Sequence, residues 1–178
     1  PTNVDTSSRI LCYDIRDLGK QLQPVGMLVV LDSVFNRIIR NRKLGKSTWV
    51  YIDEIYLLFQ HEYSANFLFT LWKRVRKYGA CCTGLTQNVD DLLQSHTART
   101  MLANSEFLVM LNQAATDRAE LANLLNISDN QLSYITNVDS GRGLIKCGSA
   151  IVPFMNSFPK NRLYQLMTTR PSETMAAA

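Results

Sequence analysis

Two adjacent carboxylates, Asp53 and Glu54, follow directly after a short apolar run. Residues 49–52 all have high β propensity, which predicts a strand buried on both faces, as in a parallel sheet covered by helices. Because ligands of open α/β sheets lie beyond the carboxyl ends of the strands, the pair is expected to face a site rather than bulk solvent. Carboxylate oxygens suit Mg²⁺, and a second carboxylate can activate a water molecule. The alternative is a buried strand that leads into a helix cap and an acidic first turn.

The elements that must position this pair alternate between strands and helices along most of the chain. Strands are predicted at 9–15, 49–52, 80–87 and 107–111, with a β-hairpin over 141–154 that turns at Gly148-Ser149. The first helix is predicted from Gly26 to an end among residues 40–45, and the second from a cap at Ser64 to Gly79. Further helices are predicted in short pieces after Asn88 or Asp90 and over 97–104, from a cap at Thr116 or Asp117, and from Ser128. This alternation predicts an α/β fold with a mostly parallel, doubly wound sheet and a late antiparallel hairpin.

Length and composition describe an ordinary globular protein. The chain has 178 residues, of which 46% are apolar and 19% charged, so disordered and membrane-spanning classes are excluded. We predict one domain over 1–170 and a frayed tail over 171–178. The polar segment 1–9 lacks the features of a signal peptide, and the N-terminus is interpreted as a cut inside a longer chain.

Two further residue classes give weaker indications. The four cysteines, Cys12, Cys81, Cys82 and Cys147, lack metal-ligand spacing, which predicts buried, reduced thiols in a cytosolic protein. The net charge of +4 arises mostly from two basic clusters, at 37–46 and 73–77. Solvation of a helix face is the commoner explanation of such clusters, and contact with phosphate is the alternative.

The run that ends in Asp53 and Glu54 resembles a Walker B motif followed by a catalytic glutamate. In that role, Asp53 would hold Mg²⁺, usually through water, and Glu54 would orient and activate the water that attacks a γ-phosphate. Gln87 ends the next predicted strand after this one. Taken alone, Gln87 is as well explained by a strand-end side chain that bonds a loop backbone.

Five sequence features occur in order along nearly the whole chain: Thr2-Asn3-Val4-Asp5, residues 49–54, Arg76-Lys77-Tyr78-Gly79, Thr86-Gln87 and Gly141-Arg142-Gly143-Leu144. In this order they resemble the ATPase domain of conjugation and type IV secretion motors, the TraC-, TrbE- and CagE-like proteins. These belong to the HerA/FtsK group of RecA-like P-loop ATPases. The resemblance implies a three-layer α/β/α fold that is incomplete here.

A Walker A loop, which cradles phosphates with backbone amides and a lysine, is absent from the sequence. The segment Leu44-Gly45-Lys46-Ser47 ends like one, but Arg40 stands where the leading glycine should be. It also precedes a strand, whereas a P-loop follows one, so we reject it. The chain therefore resembles the C-terminal part of the motor domain, without its nucleotide-binding loop.

The resemblance implies specific residues and partners. Gln87 would be a sensor of the γ-phosphate or of the attacking water, and Arg76, with Arg74 second, would be an arginine finger for a neighbouring subunit. Cations at a helix C-terminus are also favoured by the helix dipole, which is the structural alternative for both arginines. The full-length protein would be an ATPase that uses ATP and Mg²⁺. The isolated fragment would be inactive and would have no strong affinity for the nucleotide.

The resemblance also implies an assembly and a place in the cell. The full-length protein would form a homo-hexamer with other secretion or conjugation components, and would contact DNA only indirectly. It would lie in the cytoplasm, peripherally on a membrane complex at the inner face of the cell membrane. A non-catalytic assembly module of the same machinery is the alternative function. A nucleic-acid-binding domain is the weakest, because the basic residues are few and lack interleaved stacking aromatics.

In this family, the P-loop strand would lie between the strands predicted at 80–87 and 107–111. Without it, the sheet has two inward edges with unpaired backbone groups, which are costly. We therefore expect 49–52 and 80–87 to be parallel neighbours, and 107–111 to be the strand most free to take another position.

Overall fold

The computed structural model describes residues 6–15, 17–19, 21–87 and 89–168, with the side chains of 115–117 left out. The chain divides into two units, residues 1–101 and 102–178. The predicted tail at 171–178, the segment 2–5 of the resemblance and the predicted cap Asn88 lie outside the described residues.

The first helix of unit 1, α1, spans Gln23–Lys43. It begins three residues before the predicted start, with Pro24 in its first turn, where the missing amide of proline has no helical partner to lose. Its last turn carries three cations, and Gly45 follows with a φ of +66°. The helix prediction is confirmed, and the basic end suits the negative pole of the helix dipole.

A parallel strand pair forms the sheet of unit 1. Strand β1 spans Thr48–Ile52 and β2 spans Ala80–Gly84, in register from Thr48 opposite Ala80 to Ile52 opposite Gly84. Between them lie a 3₁₀ turn at Ile55–Phe59, helix α2 at Glu62–Arg74 and a second 3₁₀ turn at Val75–Tyr78. Gly79 closes the helical segment with a φ of +64°, as predicted. The two strands are parallel neighbours, which confirms that expectation, but β2 ends three residues before Gln87.

Helices α1 and α2 pack on one face of this sheet. The cluster of Ile38, Leu71, Val75 and Ala80 is buried, and Phe35 packs edge-on against the rings of Phe67 and Tyr78 at 6.0 and 5.6 Å. The inward side chains of β1 and β2 that join it are Val50 and Cys82.

The prediction that β1 is buried on both faces is wrong. Trp49 and Tyr51 point to the other face and are 65% and 67% exposed. Their neighbours on β2, Cys81 and Thr83, are also exposed. The helices of unit 1 cover one face only, and no described residue of this unit covers the other.

The predicted strand at 9–15 is not formed. The Tyr13 hydroxyl lies 2.9 Å from the Ser33 hydroxyl of α1, and the Arg37 guanidinium donates to the Thr6 carbonyl. These side-chain contacts hold the segment along α1, so its backbone does not pair with a strand.

Two smaller predictions are also wrong. Ser64 does not cap α2, because the helix begins at Glu62 and the buried Ser64 hydroxyl donates to the Leu58 carbonyl at 2.5 Å. All four cysteines are free, as predicted, but Cys12, Cys81 and Cys147 are exposed rather than buried. Two short helices follow β2 along the chain, α3 at Val89–Leu93 and α4 at His96–Ala103, which confirm the predicted helical pieces.

Unit 2 contains an antiparallel sheet of three strands in the order β3-β4-β5. The strands span Phe107–Met110, Arg142–Cys147 and Ala150–Met155, so the predicted hairpin with its turn at Gly148-Ser149 is confirmed. Strand β3 pairs with β4 rather than with a parallel neighbour. Among the described residues, the parallel part of the predicted sheet is therefore the pair β1 and β2.

The helices of unit 2 supply its core. Helix α5 spans Ala115–Leu125, α6 spans Asp129–Leu132 with a 3₁₀ turn at Ser133–Ile135, and α7 spans Arg162–Met167. Ser128 caps α6, which confirms the predicted helix start, and it forms a capping box with Gln131. Fully buried Ile135 and Leu144 join the turn after α6 to β4.

The structure requires glycine at two positions of the Gly141-Arg142-Gly143-Leu144 segment. Gly141 has a φ of +85°, and a Cβ at Gly143 would lie 2.2 Å from the Met110 carbonyl oxygen of β3. A side chain at position 143 would push β3 and β4 apart, so the segment is fixed by strand packing. No helix in the described part of the chain is long and apolar enough to cross a membrane.

Candidate functional site

The two acidic residues after β1 form a bulge against the segment that follows β2. The Leu85 amide donates to the Ile52 carbonyl at 2.8 Å, and the Ile55 amide donates to the Leu85 carbonyl at 2.9 Å. With Ile52 opposite Gly84, a regular parallel ladder would place the amide of Glu54, not of Ile55, on the Leu85 carbonyl. One extra residue is therefore inserted, and the acidic pair opposes Leu85 alone, which is a β-bulge.

Glu54 has a backbone conformation that residues with a side chain rarely adopt. Its φ of 47° and ψ of 48° are left-handed, and its amide, displaced from the ladder, donates to Asp53 Oδ1 at 3.0 Å. Its Oε2 atom is buried without a hydrogen-bond partner among the described residues. A left-handed non-glycine residue costs about 1–3 kcal/mol, and an unpaired buried acceptor adds to that cost. Such strained, unsatisfied groups are concentrated at ligand sites.

Gln87 reaches the same edge of the sheet by way of β2. Because β1 and β2 are parallel and in register, the residues that follow Ile52 and Gly84 leave the sheet at one edge, here named the carboxyl edge. A Cβ on Gly84 would lie 2.5 Å from Ile55 Cδ1, so the two chain segments approach closely at this point. Asp53 and Gln87 are exposed at this edge, and Glu54 is half-buried. The structure thus brings these three predicted residues to one edge.

Arg74 and Arg76 lie at the opposite edge, here named the amino edge. They precede Gly79, whose carbonyl accepts from the amide of Thr48 at the start of β1. The four rises of β1 separate the two edges by about 13 Å. Both arginines are exposed. The structure therefore does not bring them together with the acidic pair of the same chain.

The two basic clusters of the sequence converge at this amino edge, which the sequence did not predict. The Arg42 guanidinium at the end of α1 lies over the Tyr78 ring at 5.4 Å. The Lys46 amide donates to the Asn41 carbonyl, which holds the loop after α1 beside the start of β1. In the sequence, only the aromatic residues at 35, 67 and 78 could have indicated that the two basic clusters meet. Such residues are equally typical of any hydrophobic core.

The acidic pair fits a magnesium ion that is shared with phosphate. Mg²⁺ is usually bound by one or two carboxylates together with substrate phosphates and water, so a cage of protein ligands is not needed. The exposed Asp53 and the unpaired Oε2 of Glu54 offer such oxygens. No group of three or more His, Cys, Asp or Glu side chains with metal-site geometry occurs in the described ranges. A cradle for the phosphates themselves is not supplied by these residues.

Cys82 is the one thiol near the sheet core, and it is unsuited to nucleophilic chemistry. Burial, and secondarily the neighbouring Cys81 thiol, raises the pKa of Cys82 from 9.0 to about 12. The thiol therefore stays protonated at neutral pH, and a protonated thiol is a poor nucleophile.

Comparison with known proteins identifies the family. No curated protein matches the chain at a significant level. The solved structure of VirB4 of Thermoanaerobacter pseudethanolicus is similar, with a TM-score of 0.71 and 24% sequence identity over 82% of this chain and 40% of that one. This likeness confirms the predicted α/β fold, and this chain spans less than half the length of that protein. The family model of the TraG P-loop domain matches residues 6–145. The predicted resemblance to ATPases of conjugation and type IV secretion is thereby confirmed, and the chain belongs to the TraG P-loop domain family.

Proposed function

We propose that these residues form the hydrolytic part of a motor ATPase of conjugation or type IV secretion, which hydrolyses ATP to energise the transfer of DNA or protein. The observation that carries the proposal is the strained Glu54, whose buried Oε2 lacks a partner at the carboxyl edge. At an ordinary strand end, glycine would adopt this left-handed conformation at a lower free-energy cost than glutamate, so the glutamate indicates a functional role.

The three residues of the carboxyl edge have different roles in ATP hydrolysis. Asp53, which is exposed, holds Mg²⁺, and the metal neutralises phosphate charge when bound. Glu54 orients and deprotonates the attacking water through its unpaired carboxylate oxygen. Gln87 contacts the γ-phosphate or that water from the end of the neighbouring segment. Hydrolysis then depends on positioning and charge, which is how phosphoryl transfer is generally catalysed.

The phosphate-binding loop of this motor comes from outside these 178 residues. The sequence contains no Gly-x-x-x-x-Gly-Lys-Ser/Thr segment, and the chain corresponds to 40% of the VirB4 structure. Without that loop, the charge of a nucleotide would meet Asp53 and Glu54 with little to offset it. The isolated chain is therefore expected to bind ATP weakly and not to hydrolyse it.

Arg76, with Arg74 second, acts on the site of a neighbouring subunit. Both arginines lie at the amino edge, about 13 Å of strand away from the acidic pair of their own chain. A head-to-tail ring would place the amino edge of one subunit against the carboxyl edge of the next. The full-length protein is then a hexamer that works with other secretion components in the cytoplasm, at the inner face of the membrane, and contacts DNA only indirectly.

Steady-state ATP hydrolysis by the full-length protein tests this assignment. Asp53→Asn and Gln87→Ala should each lower kcat by about 100-fold, because each removes an interaction with the reacting phosphate or its metal. The matched control is Gln60→Ala, an exposed glutamine after the 3₁₀ turn, which should leave kcat unchanged. Wild-type turnover in both site variants would show that the carboxyl edge is not the hydrolytic site.

A further inference from the structure

We propose that the main chain of Leu85 positions the acidic pair and couples it mechanically to Gln87. This inference rests on the proposed function and adds a positioning residue to that site. It starts from the two hydrogen bonds of the bulge, which tie the residue before Asp53 and the residue after Glu54 to the same partner.

These two hydrogen bonds of the Leu85 main chain, here called the clamp, fix both ends of the dipeptide Asp53-Glu54. The Leu85 amide donates to the Ile52 carbonyl at 2.8 Å, and the Leu85 carbonyl accepts from the Ile55 amide at 2.9 Å. The two acidic residues are the only ones between these anchors. Their backbone therefore has little freedom, which is what a group needs if it must meet a reacting atom within about 0.5 Å.

The clamp also determines the directions in which the side chains of Asp53 and Glu54 point. In a regular strand, successive side chains point to opposite faces of the sheet, so Asp53 and Glu54 would face apart. The inserted residue and the left-handed conformation of Glu54 end that alternation at the sheet edge. The bond from the Ile55 amide to the Leu85 carbonyl holds Glu54 in this costly conformation, together with the bond that the Glu54 carbonyl accepts from the Leu57 amide at 3.0 Å.

The same residue links the acidic pair to the proposed sensor. Gln87 follows Leu85 at a distance of two residues along the chain. Gly84 lies immediately before the clamp, at the place where a Cβ would meet Ile55 Cδ1 at 2.5 Å. A shift of the segment 84–87 on contact with phosphate is therefore transmitted directly to Ile55 and Glu54. Leu85 does not touch the nucleotide in this account, and it acts through its neighbours.

Proline at position 85 tests the clamp in the full-length protein. Leu85→Pro removes the amide that bonds to Ile52, while the Leu85 side chain is already 47% exposed, so little packing is lost. We expect kcat to fall by about 10- to 100-fold with little change in KM, because binding is kept and positioning is lost. Leu85→Ala keeps both backbone groups and measures the part of the loss that the side chain causes. Equal losses in the two variants would overturn the proposal.

A double-mutant cycle separates positioning from a structural role. If Leu85 acts through Glu54, the loss in the combined variant Leu85→Pro, Glu54→Gln should be smaller than the product of the single losses. Losses that multiply, or a fall in the unfolding midpoint that accounts for the lost turnover, would contradict the inference.

Hydrogen exchange keeps the clamp testable apart from the proposed function. The amides of Leu85 and Ile55 should exchange as slowly as those inside β1 and β2, and Leu85→Pro should speed exchange at Ile55. If the full-length protein proves inactive, the proposed function fails while slow exchange still supports the clamp. Fast exchange at Ile55 in the wild-type protein would overturn the clamp even if the protein hydrolyses ATP.

Discussion

Replacing Glu54 by glycine should stabilise unit 1 while it removes the proposed catalytic group. Glu54 has a φ of 47° and a buried Oε2 without a partner. Relief of the left-handed conformation contributes about 1–2 kcal/mol, and loss of the unpaired acceptor about 1–3 kcal/mol. The larger conformational freedom of glycine in the unfolded chain lowers the free energy of unfolding by about 0.5–1 kcal/mol. We expect the free energy of unfolding to rise by about 1–4 kcal/mol.

Urea unfolding followed by tryptophan fluorescence measures this change. Both tryptophans of the sequence, Trp49 and Trp72, belong to unit 1, so the signal reports on the unit that contains Glu54. Glu54→Ala separates the two contributions, because it removes the carboxylate but keeps the cost of the left-handed backbone. A stabilised Glu54→Gly with an unchanged Glu54→Ala would assign the effect to the backbone alone.

Asn126→Gly is the matched control for the backbone contribution. Because Asn126 lies in unit 2, which contains no tryptophan, the unfolding of this variant is followed by far-UV circular dichroism. Asn126 ends α5 in the same left-handed region, with a φ of 54°. Asparagine tolerates this conformation better than glutamate, so a gain below about 1 kcal/mol is expected. If Glu54→Gly is less stable than the wild-type protein, then Glu54 contributes favourable contacts and is not a strained residue. The reasoning that assigns it to catalysis would fail with that result.

Two further predictions concern the thiol of Cys82 and the amino edge. Burial raises the pKa of Cys82 from 9.0 to about 12, so the unfolded chain loses this proton first. The contribution of Cys82 to stability should therefore be constant below pH 9 and fall between pH 9 and 12. Urea midpoints across that range should show the fall in the wild-type protein and a smaller one in Cys82→Ala, and a stability that rises over this range would contradict the assignment. In the full-length protein, Arg76→Ala and Glu54→Gln should each abolish turnover, and a mixture of the two should recover part of it, because a mixed ring contains sites with both groups intact. An active Arg76→Ala protein, or no recovery in a mixed ring, would exclude the finger role.

The parallel pair β1 and β2 and the acidic residues at its end were predictable because each depends on short-range signals. Four residues of high β propensity marked β1, and Gly79 marked the end of the helix before β2. The rule that ligands lie beyond the carboxyl ends of strands then brought Asp53, Glu54 and Gln87 to one edge.

The errors arose where tertiary contacts outweigh local preference. Residues 9–15 have strand-like composition, but the Tyr13 hydroxyl bonds to Ser33 of α1, and Arg37 of α1 donates to the carbonyls of Thr6 and Ser8 just before the segment. Burial of β1 on both faces was inferred from the run of four β-favouring residues at 49–52, yet helices cover one face only and leave Trp49 and Tyr51 exposed. A run of apolar residues shows that a surface can be buried, and it does not show what covers it.

The bulge could not have been predicted from the sequence. It depends on which backbone groups meet after β1 and β2 leave the ladder, and a glutamate gives no local signal for a positive φ. Gly84, next to Leu85, was the nearest hint, since glycine in a strand often marks a close approach of two backbones. The convergence of the basic clusters at the amino edge was hidden for the same reason, because it follows from the packing of α1 against Tyr78.

The central claim is that Glu54 activates water for the chemical step and does not serve nucleotide binding. Single-turnover hydrolysis of prebound ATP by the full-length protein tests it most directly, because that measurement separates chemistry from binding and product release. For Glu54→Gln, we predict that the hydrolysis rate falls by about 100-fold or more, while the dissociation constant for ATP changes by less than about threefold. Hydrolysis at the wild-type rate in Glu54→Gln would contradict the account.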